Sequence, residues 1–512
     1  MAKQILFSLR EKTGGSSHCQ WHAVQCQWGV IPPLYIYSVE RNFGTLHFYW
    51  IGVLLPKSPF INTGYPSIRI AVTMATRSPR PNFVITLLLR TLLLSKPSLA
   101  GPCAGGFFCP VGQNISSPCT CPAACMSTDN IVDPIDSLVW TTKTLAGTGV
   151  AGYLDAAGTN AVFINPFGNC RLASVVNSTI YISDQGSNRM RAVNPAGVVT
   201  TVVGTGAVGV INGIGTSASL QAPQSCVVEP GSARLWVVAA NQVRAIALPS
   251  YATSTLAGST IGTAGYADGI GTNALFSSPS GIGLSSTGTL LYIADYNTHR
   301  IRSIDIFSAA VATVAGSGVA AWLDGQGTVA SFNNPWALVV GQGGNIFVAD
   351  KGNNRIRRVS PSGMVSTLSG SDGPSWTDAV IGGGATFSQP VGIAAAMSGT
   401  LFVVDFAGGH RVRLVAPDSG ATYTIGGTGN VGFVNGVGIA ASFSSPIGIA
   451  VDLAGSAIVS DNGNKVVRQL TCAPCPAGNG CKFGIPSPCD AGTWSGGGLA
   501  QCAPCTAVPG YG

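Results

Sequence analysis

Acidic and basic side chains recur together in this 512-residue chain, and their order suggests two kinds of chemistry. Each acid ends a short apolar run, as in Ile346-Phe-Val-Ala-Asp350, and an Arg-x-Arg segment follows a few residues later. The repeated acids are Asp184, Asp295, Asp350, Asp405 and Asp461. A ring of such acids could hold a metal ion, but Asp also favours bonding to an adjacent turn. Because a catalytic site needs different groups that converge on one point, we interpret these aspartates as structural, with the arginines as charge partners.

Few other residues offer catalytic or metal-binding chemistry. A His-ligated metal needs about three histidines, whereas the repeat region has His299 and His410, which both replace an Asn of the repeat. A calcium site would use acids outside the repeated set, and those candidates are Asp155, Asp268, Asp324, Asp372 and Asp378. The first three belong to another recurring turn, and the chain has neither a Gly-x-Ser-x-Gly elbow nor a phosphate loop. We predict no cofactor, and a structural or catalytic calcium or zinc ion stays an open alternative.

Cysteines cluster towards the two ends of the chain and indicate disulfides. Five lie between residues 103 and 125, and six close the chain: Cys472, Cys475, Cys481, Cys489, Cys502 and Cys505. The two Cys-x-x-Cys pairs, Cys472/Cys475 and Cys502/Cys505, could bind zinc. However, their spacing is loose for a zinc ribbon, and neither Cys-rich flank contains His. Cys-rich segments with Pro and Gly are typical of disulfide-stapled modules in an oxidising compartment. Cys170 and Cys226 occupy nearly equivalent places in neighbouring repeats, so we hypothesise a disulfide between them; two small buried residues are the alternative.

The net charge of +7 falls mainly in the first hundred residues, which hold ten Lys or Arg and two acids. Residues 74–100 combine a basic start, a twelve-residue apolar run and a small-x-small end, which is the pattern of a signal peptide. The run is too short to span a membrane, and we predict no transmembrane helix. We interpret residues 1–73 as a doubtful extension before a true start at Met74; a genuine extension with an internal anchor is the alternative. The expected location is secreted or extracellular, with Asn114 and Asn177 as glycosylation acceptors.

The strongest signal is a unit that recurs every 55 to 57 residues between the Cys-rich ends. Each unit begins near a turn such as Phe332-Asn-Asn-Pro335 and contains short apolar runs separated by some of the 68 glycines. Four strands at a fixed period are typical of a β-propeller blade. The sixth unit lacks its last strand, and a spare copy at residues 139–147 precedes the first unit. We therefore predict an all-β, six-bladed propeller that an N-terminal strand closes, with small disulfide-rich flanking modules.

Two motifs connect this chain to known repeats. The segments Asp295-Tyr-Asn-Thr-His-Arg-Ile-Arg302 and Asp350-Lys-Gly-Asn-Asn-Arg-Ile-Arg357 resemble the NHL repeat, and the resemblance covers about residues 138–470. Residues 471–512 resemble an ephrin-receptor-like Cys-rich repeat that ends early, and residues 101–137 form a less regular Cys-rich module.

The resemblance implies a non-catalytic interaction module that presents loops to an extracellular protein or glycan. Trp322, Trp336 and Trp376 are the predicted binding residues, because Trp is enriched at binding hot spots; packing between blades is their alternative role. Six-bladed relatives also include metal-dependent lyases and lactonases, so a lyase or esterase is a second hypothesis. RNA binding by the repeated arginines is a third, but acids nearly balance bases in the repeat region. We therefore predict no nucleic-acid partner.

Overall fold

The structure is a computed structural model, and it describes residues 138–474 except 173, 176–177, 232 and 407. Beyond residue 474 it describes the backbone of four short strands between residues 479 and 504. The described residues form strands, turns and 3₁₀ turns, and none of their helical segments has the length and apolar character that a membrane crossing requires. The predicted signal peptide, the N-terminal Cys-rich module and Asn114 and Asn177 lie outside the described residues.

The strands are named in chain order and grouped by sheet. β1 (Leu138–Ala146) precedes the first blade. Blade 1 contains β2 (Pro166–Cys170), β3 (Ile180–Asp184), β4 (Arg189–Val193) and β5 (Val199–Val203). Blade 2 contains β6 (Gly213–Ile214), β7 (Pro223–Val228), β8 (Arg234–Ala239), β9 (Gln242–Ala247) and β10 (Ala252–Ala257). Blade 3 contains β11 (Gly269–Ile270), β12 (Pro279–Leu284), β13 (Leu290–Asp295), β14 (Arg300–Asp305) and β15 (Ala310–Ala315).

Blade 4 contains β16 (Gly325–Gln326), β17 (Pro335–Val340), β18 (Ile346–Asp350), β19 (Arg355–Val359) and β20 (Met364–Ser369). Blade 5 contains β21 (Pro390–Ala395), β22 (Leu401–Asp405), β23 (Arg411–Val415) and β24 (Thr422–Gly426). Blade 6 contains β25 (Gly436–Val437), β26 (Pro446–Val451), β27 (Ala457–Asp461) and β28 (Val466–Pro474). Two hairpins follow, formed by β29 (Asn479–Lys482), β30 (Ile485–Pro488), β31 (Thr493–Trp494) and β32 (Ala503–Pro504).

Short 3₁₀ turns connect these strands in two repeated places. One set follows the strand that ends in the repeated Asp, and its members are Gln185–Ser187, Tyr296–Thr298, Lys351–Asn353 and Asn462–Asn464. The other set precedes the innermost strand, and its members are Gly158–Asn160, Gly215–Ser217, Gly271–Asn273, Gly327–Val329, Gly382–Gly384 and Gly438–Ala440. One more turn, Gln342–Gly344, follows β17.

The six sheets form a closed ring, which confirms the predicted six-bladed propeller. The innermost strands contact one another in the order β2, β7, β12, β17, β21, β26 and back to β2. β1 pairs with β28 along its length and with β25 on its other side, so the N-terminal strand completes blade 6. By pairing with β28, β1 covers the outer edge that β28 would otherwise expose, where an unpaired edge would invite aggregation.

The hydrophobic core lies between neighbouring blades and not within one sheet. A buried phenylalanine of each Phe-x-x-Pro turn, such as Phe332, contributes to it. Apolar side chains of the inner strands of one blade pack on the next blade, as Val238 of β8 does in the cluster that contains Ile282 of β12. Because every blade needs both neighbours to bury its faces, the ring is stabilised as a whole.

Candidate functional site

The repeated aspartate ties three parts of its blade together. In blade 4, Oδ1 of Asp350 accepts a hydrogen bond from the backbone N–H of Asn333 at 2.8 Å. Its Oδ2 accepts one from Asn353 Nδ2 at 2.7 Å and one from Arg357 Nη1 at 2.9 Å. The carboxylate is fully buried, and burial raises its pKa to about 6 against the opposing effect of Arg357. Asp350 therefore fixes the Phe-x-x-Pro turn, the following 3₁₀ turn and strand β19.

The same contacts recur around the ring. Each of the other repeated aspartates accepts a hydrogen bond from a backbone N–H of its Phe-x-x-Pro turn and pairs with the arginine equivalent to Arg357 in its blade; they are Asp184, Asp295, Asp405 and Asp461. All of these carboxylates are buried. A group that makes equivalent contacts in five blades serves the fold, as Asp does wherever it bonds a neighbouring turn.

The arginine at the position of Arg357 is buried in each blade. It connects the Phe-x-x-Pro turn to the turn around Asp324 or its equivalent. Arg357 donates to the carbonyl oxygens of Ser331 and Leu323 and to Asp324 Oδ1 at 2.7 Å. The equivalents are Arg191, Arg244, Arg302, Arg413 and Arg468, and none of the six is exposed. These arginines form no basic stripe on the surface of the described residues, which is the feature that RNA binding would need.

The unrepeated acids that could have served a calcium ion have partners of their own. Asp155, Asp268, Asp324 and Asp378 each pair with the buried arginine of their blade. Each also accepts a hydrogen bond from a Thr backbone N–H of the outer strand. Asp372 pairs with Arg355 at 2.6 Å. Across the part of the chain that the structure describes, no group of three or more His, Cys, Asp or Glu side chains is placed to hold a metal ion.

The two histidines connect neighbouring blades. Nδ1 of His299 accepts a hydrogen bond from the backbone N–H of Asn334 in blade 4 at 3.0 Å. Nδ1 of His410 does the same for Ser445 in blade 6 at 3.1 Å. In three other blades an Asn side-chain oxygen accepts the equivalent bond from the backbone N–H of the next blade: Asn188 from Ala222, Asn241 from Ser278 and Asn354 from Gln389. In blade 6 the contact is reversed, and Lys465 Nζ donates to Asn165 Oδ1. Burial is the main cause that lowers the pKa of both histidines, so both stay neutral acceptors near pH 7.

Trp322 and Trp376 occupy a repeated outer position. Trp322 lies under the Arg355 guanidinium at 4.1 Å, and its Nε1 donates to Thr367 Oγ1 at 2.9 Å. Trp376 lies under Arg411 at 3.7 Å. Tyr153 and Tyr266 make the same contact with the first arginine of their own blades. Both side chains are exposed and stack within their own blade, which is not the packing between blades that the sequence offered as their alternative role, and neither is among the residues that line the channel beside Trp336.

Trp336 differs from the other two tryptophans, because it occupies the β-bulge that follows the Pro of its blade. Pro335 pairs with Asp350 and Ala337 pairs with Ala349, which leaves Trp336 as the extra residue of β17. Bulges commonly re-aim a side chain in this way. The indole ring is half-buried and lines the central channel at the end where the inner strands begin.

An aromatic cluster surrounds Trp336 at this end of the channel. Its ring centroid lies 5.2 Å from Tyr296 in an edge-to-face arrangement, and 5.8 Å from Phe167. Lys351 Nζ lies 4.0 Å from the Trp336 ring, 5.6 Å from Tyr296 and 5.7 Å from Phe406. We call these five residues the mouth cluster. Unlike the aspartates, arginines and outer aromatics, the mouth cluster has no counterpart in the other blades.

The position of Lys351 is unusual for a charged residue. Its Nζ forms no hydrogen bond or ion pair with any residue that the structure describes, and burial lowers the pKa of its ammonium. By contrast, Arg191, Arg302, Arg357, Arg413 and Arg468 are each paired with a carboxylate. Contact with three rings offsets part of the cost of desolvating the ammonium through cation–π attraction.

Below the mouth cluster lies a central cavity of about 430 Å³. Inner-strand residues of all six blades line it, and most are apolar, such as Ile282, Val339 and Ile449. At the ends of β2 and β26 a buried ion pair joins Arg171 to Asp452 at 3.2 Å, with both side chains 1% exposed. Cys170 and Cys226, which also line the cavity, form a disulfide between β2 and β7 with their Cα atoms 5.6 Å apart.

The C-terminal cysteines fall mostly outside the described side chains. Cys472 takes part in a disulfide and lies opposite Trp140 in the pairing of β28 with β1. Cys475, Cys489, Cys502 and Cys505, and the side chain of Cys481, are outside the described residues. The predicted ephrin-receptor-like module therefore stays a prediction.

Sequence reasoning missed four of the five residues of the mouth cluster. Tyr296, Lys351 and Phe406 follow the repeated Asp directly, where the other blades have Gln185, Ala240 and Asn462. Phe167 and Trp336 follow the Pro, where the other blades have Gln224, Ser280, Val391 and Ile447. The signal that could have found them is variation at a fixed place in the repeat, because a site breaks the symmetry that the fold preserves.

Comparison with known proteins agrees with this architecture. The NHL repeat family profile matches residues 332–359, which run from Phe332 through β17, β18 and β19. A solved protein of unknown function from Bacteroides thetaiotaomicron superposes with a TM-score of 0.51 and 18% identity, over 66% of this chain and 76% of that one. The fold is thus a six-bladed β-propeller, and residues 332–359 within it match the NHL repeat.

Two curated relatives share part of the sequence. SUPPRESSOR OF QUENCHING 1, a chloroplastic protein of Arabidopsis thaliana, is 25% identical over 278 residues, which cover 41% of this chain and 26% of that protein. NHL repeat-containing protein 2 of Bos taurus is 31% identical over 150 residues, which cover 28% of this chain and 20% of that protein. The chain therefore spans about a quarter or less of the length of these relatives.

Proposed function

We propose that this protein is a non-catalytic binding module that receives an extracellular ligand, a glycan or a protein, at the mouth cluster. The observation that carries the proposal is the convergence of Trp336, Tyr296 and Phe406 on Lys351 at one end of the channel, at repeat positions whose residue type varies from blade to blade. Binding sites combine apolar and aromatic surface with a few polar groups that fix orientation.

The rest of the ring serves as a rigid support for this site. The repeated aspartates, arginines and histidines are engaged in contacts that hold turns and blades together. Trp336 is positioned by a β-bulge on an inner strand and is backed by neighbouring blades. Placing binding residues on a rigid scaffold lowers the entropy cost of fixing them when a ligand arrives.

An extracellular setting is part of the proposal. Its support is the Cys170–Cys226 disulfide, the disulfide at Cys472 and the signal-peptide pattern of residues 74–100. Disulfides persist in secreted proteins and are rare where glutathione keeps thiols reduced.

The test is a binding screen with the full chain expressed through a secretory pathway. Purified protein is applied to arrays of glycans and extracellular proteins, and each hit is measured again with Trp336→Ala. The matched controls are Trp322→Ala and Trp376→Ala, which also remove a Trp from a half-exposed or exposed position. The proposal predicts that Trp336→Ala weakens binding at least tenfold while both controls bind like the wild type. Equal binding by all four proteins, or failure of the wild type to bind any array member, overturns it.

A further inference from the structure

We infer that the ligand of the mouth cluster is a sugar that carries a single carboxylate, so that the protein recognises an acidic glycan through Lys351. This inference rests on the proposed function and names the ligand class of the same site. The carboxylate would pair with Nζ of Lys351, and the sugar ring would lie against the face of Trp336.

The first argument is the unpaired charge. Lys351 Nζ has no hydrogen-bond or carboxylate partner among the described residues, although three aromatic rings remove it partly from water. Placing an ammonium in such surroundings without an anion is costly. A ligand carboxylate would supply the missing partner, and a charge-assisted hydrogen bond at a partly desolvated site is stronger than one in water.

The second argument is that only one of the twelve repeat positions at this end of the ring holds a charged residue. In each blade, the residues that follow the repeated Asp position and the Pro face the same end of the ring. Among these twelve positions Lys351 alone is charged; the others are Gln185, Ala240, Tyr296, Phe406 and Asn462, and Phe167, Gln224, Ser280, Trp336, Val391 and Ile447. One cation matches one carboxylate, whereas nucleic acids and highly sulfated polymers need several cations to neutralise their phosphates or sulfates.

The third argument concerns the uncharged groups. Trp336 is only half-buried, and the exposed part of its indole ring suits the C–H-rich face of a sugar ring beside Lys351 Nζ. On the other side of the ring, Gln185 and Gln224 are half-buried, and Gln224 also lines the central cavity. An amide both donates and accepts, so it can bind the hydroxyl groups that a sugar carries in abundance.

The shape of the mouth sets how such a sugar binds. Trp336 of blade 4 reaches Phe167 of blade 1, which lies on the opposite side of the six-membered ring. The two rings together bridge this end of the channel. We place the sugar across these rings at the mouth, so a residue within a longer glycan can bind as well as a terminal one.

The experiment compares glycans that differ in the carboxylate alone. Oligogalacturonate is measured beside its fully methyl-esterified form, which keeps every ring and hydroxyl group but has no charge. Sialyllactose beside its methyl ester, which keeps the sialic acid ring but not its charge, distinguishes a sialic acid from a uronic acid as the source of the carboxylate. The inference predicts that at least one acid form binds ten times or more tightly than its neutral counterpart, and that 0.5 M NaCl reduces this preference.

The variants separate charge from packing. Lys351→Gln keeps a polar side chain of similar length and should abolish the preference for the acid form, while Lys351→Arg should keep it. Lys143→Gln, at an exposed position of β1, is the control for a general loss of positive charge. A ligand whose binding depends on Trp336 but not on Lys351, or equal affinity for acid and ester, overturns this inference and leaves the proposed function intact. If no ligand shows binding that depends on Trp336, this inference and the proposed function are both overturned.

Discussion

Trp336 and Phe167 lie on opposite blades of the ring, and their ring centroids are 5.8 Å apart. In the described part of the ring, this contact bridges the channel between blades that share no inner-strand neighbour. It packs Phe167 against the Trp336 ring that we assign to the ligand. The two residues occupy the same repeat position, and the β-bulge after each Pro directs them to the channel.

The contact should be measurable as a coupling energy. We expect a double-mutant cycle of Trp336→Leu and Phe167→Leu to give about 0.5–1.5 kcal/mol, the range for aromatic pairs beyond the area they bury. Urea unfolding of the two single variants and the double variant provides the numbers. The cycle of Trp322→Leu with Phe167→Leu is the control and should be additive, because Trp322 packs on Arg355. Additivity in the first cycle would show that the rings do not interact.

The histidine contacts between blades should make stability depend on pH. Neutral His299 and His410 accept backbone hydrogen bonds, and a protonated ring cannot accept at Nδ1. Their pKa is lower in the folded protein than the usual value near 6.5, so their contribution is present above that value and is lost as the pH falls through the folded pKa.

Asn occupies the same position in three other blades and provides the matched replacement. The variant His299→Asn/His410→Asn should lose less stability than the wild type between pH 7.5 and pH 5, by about 1 kcal/mol for each residue. The reverse change, Asn354→His, should add to the loss. The raised pKa of buried aspartates such as Asp350 acts with the opposite sign and is common to all variants. Identical pH profiles for the three proteins would contradict the assignment.

The disulfide between blades 1 and 2 should be a major source of stability. Cys170 and Cys226 are 56 residues apart, and a loop of that length stabilises a folded chain by roughly 4 kcal/mol in the chain-entropy estimate. Cys170→Ala/Cys226→Ala should lower the free energy of unfolding by roughly 2–4 kcal/mol. Non-reducing peptide mapping of the wild type must also show the linked pair. Two free thiols in the secreted protein would refute the bridge.

The buried arginine of blade 4 has two carboxylate partners and the equivalent arginine of blade 2 has none, so substituting the two should cost different amounts of stability. Arg357 pairs with Asp350 and Asp324, so Arg357→Met would leave two carboxylates without their cation and should cost about 3–5 kcal/mol. Arg244 has no carboxylate, because Ala239 and Asn212 stand in those places, and burial lowers its pKa to about 10. Arg244→Met should therefore cost no more than about 1 kcal/mol. Chemical unfolding of both variants gives the comparison, and equal losses would be inconsistent with it.

The repeat made most of the architecture predictable. A fixed period of about 56 residues and a spare outer strand before the first unit were enough to predict six blades and closure by β1. The structural reading of Asp350 and its equivalents also follows from their repetition. The Cys170–Cys226 disulfide between neighbouring repeats was also hypothesised from the sequence. The hydrogen bonds between blades were not predictable, because the acceptor in His299 and the donor in Asn334 belong to different units and leave no local pattern.

The candidate site was hidden for a related reason. The residue type varies at the repeat position that holds Tyr296, Lys351 and Phe406. A search for recurring residues therefore does not identify them. Of the three predicted tryptophans, the structure brings Trp336 to the channel, while Trp322 and Trp376 stack on the first arginine of their blades. Trp336 occupies a β-bulge, whereas Trp322 and Trp376 do not. A bulge depends on strand register, which the sequence of one strand does not determine.

The most direct test of the account is the affinity of the secreted full chain for oligogalacturonate, sialyllactose and their neutral counterparts, measured for the wild type, Trp336→Ala, Lys351→Gln and Trp322→Ala. We predict that the wild type and Trp322→Ala bind a carboxylate sugar at least ten times more tightly than its neutral form. Trp336→Ala should lose binding, and Lys351→Gln should lose the preference for the acid. Equal affinities across the four proteins, or no binding of any acid sugar by the wild type, would contradict the account.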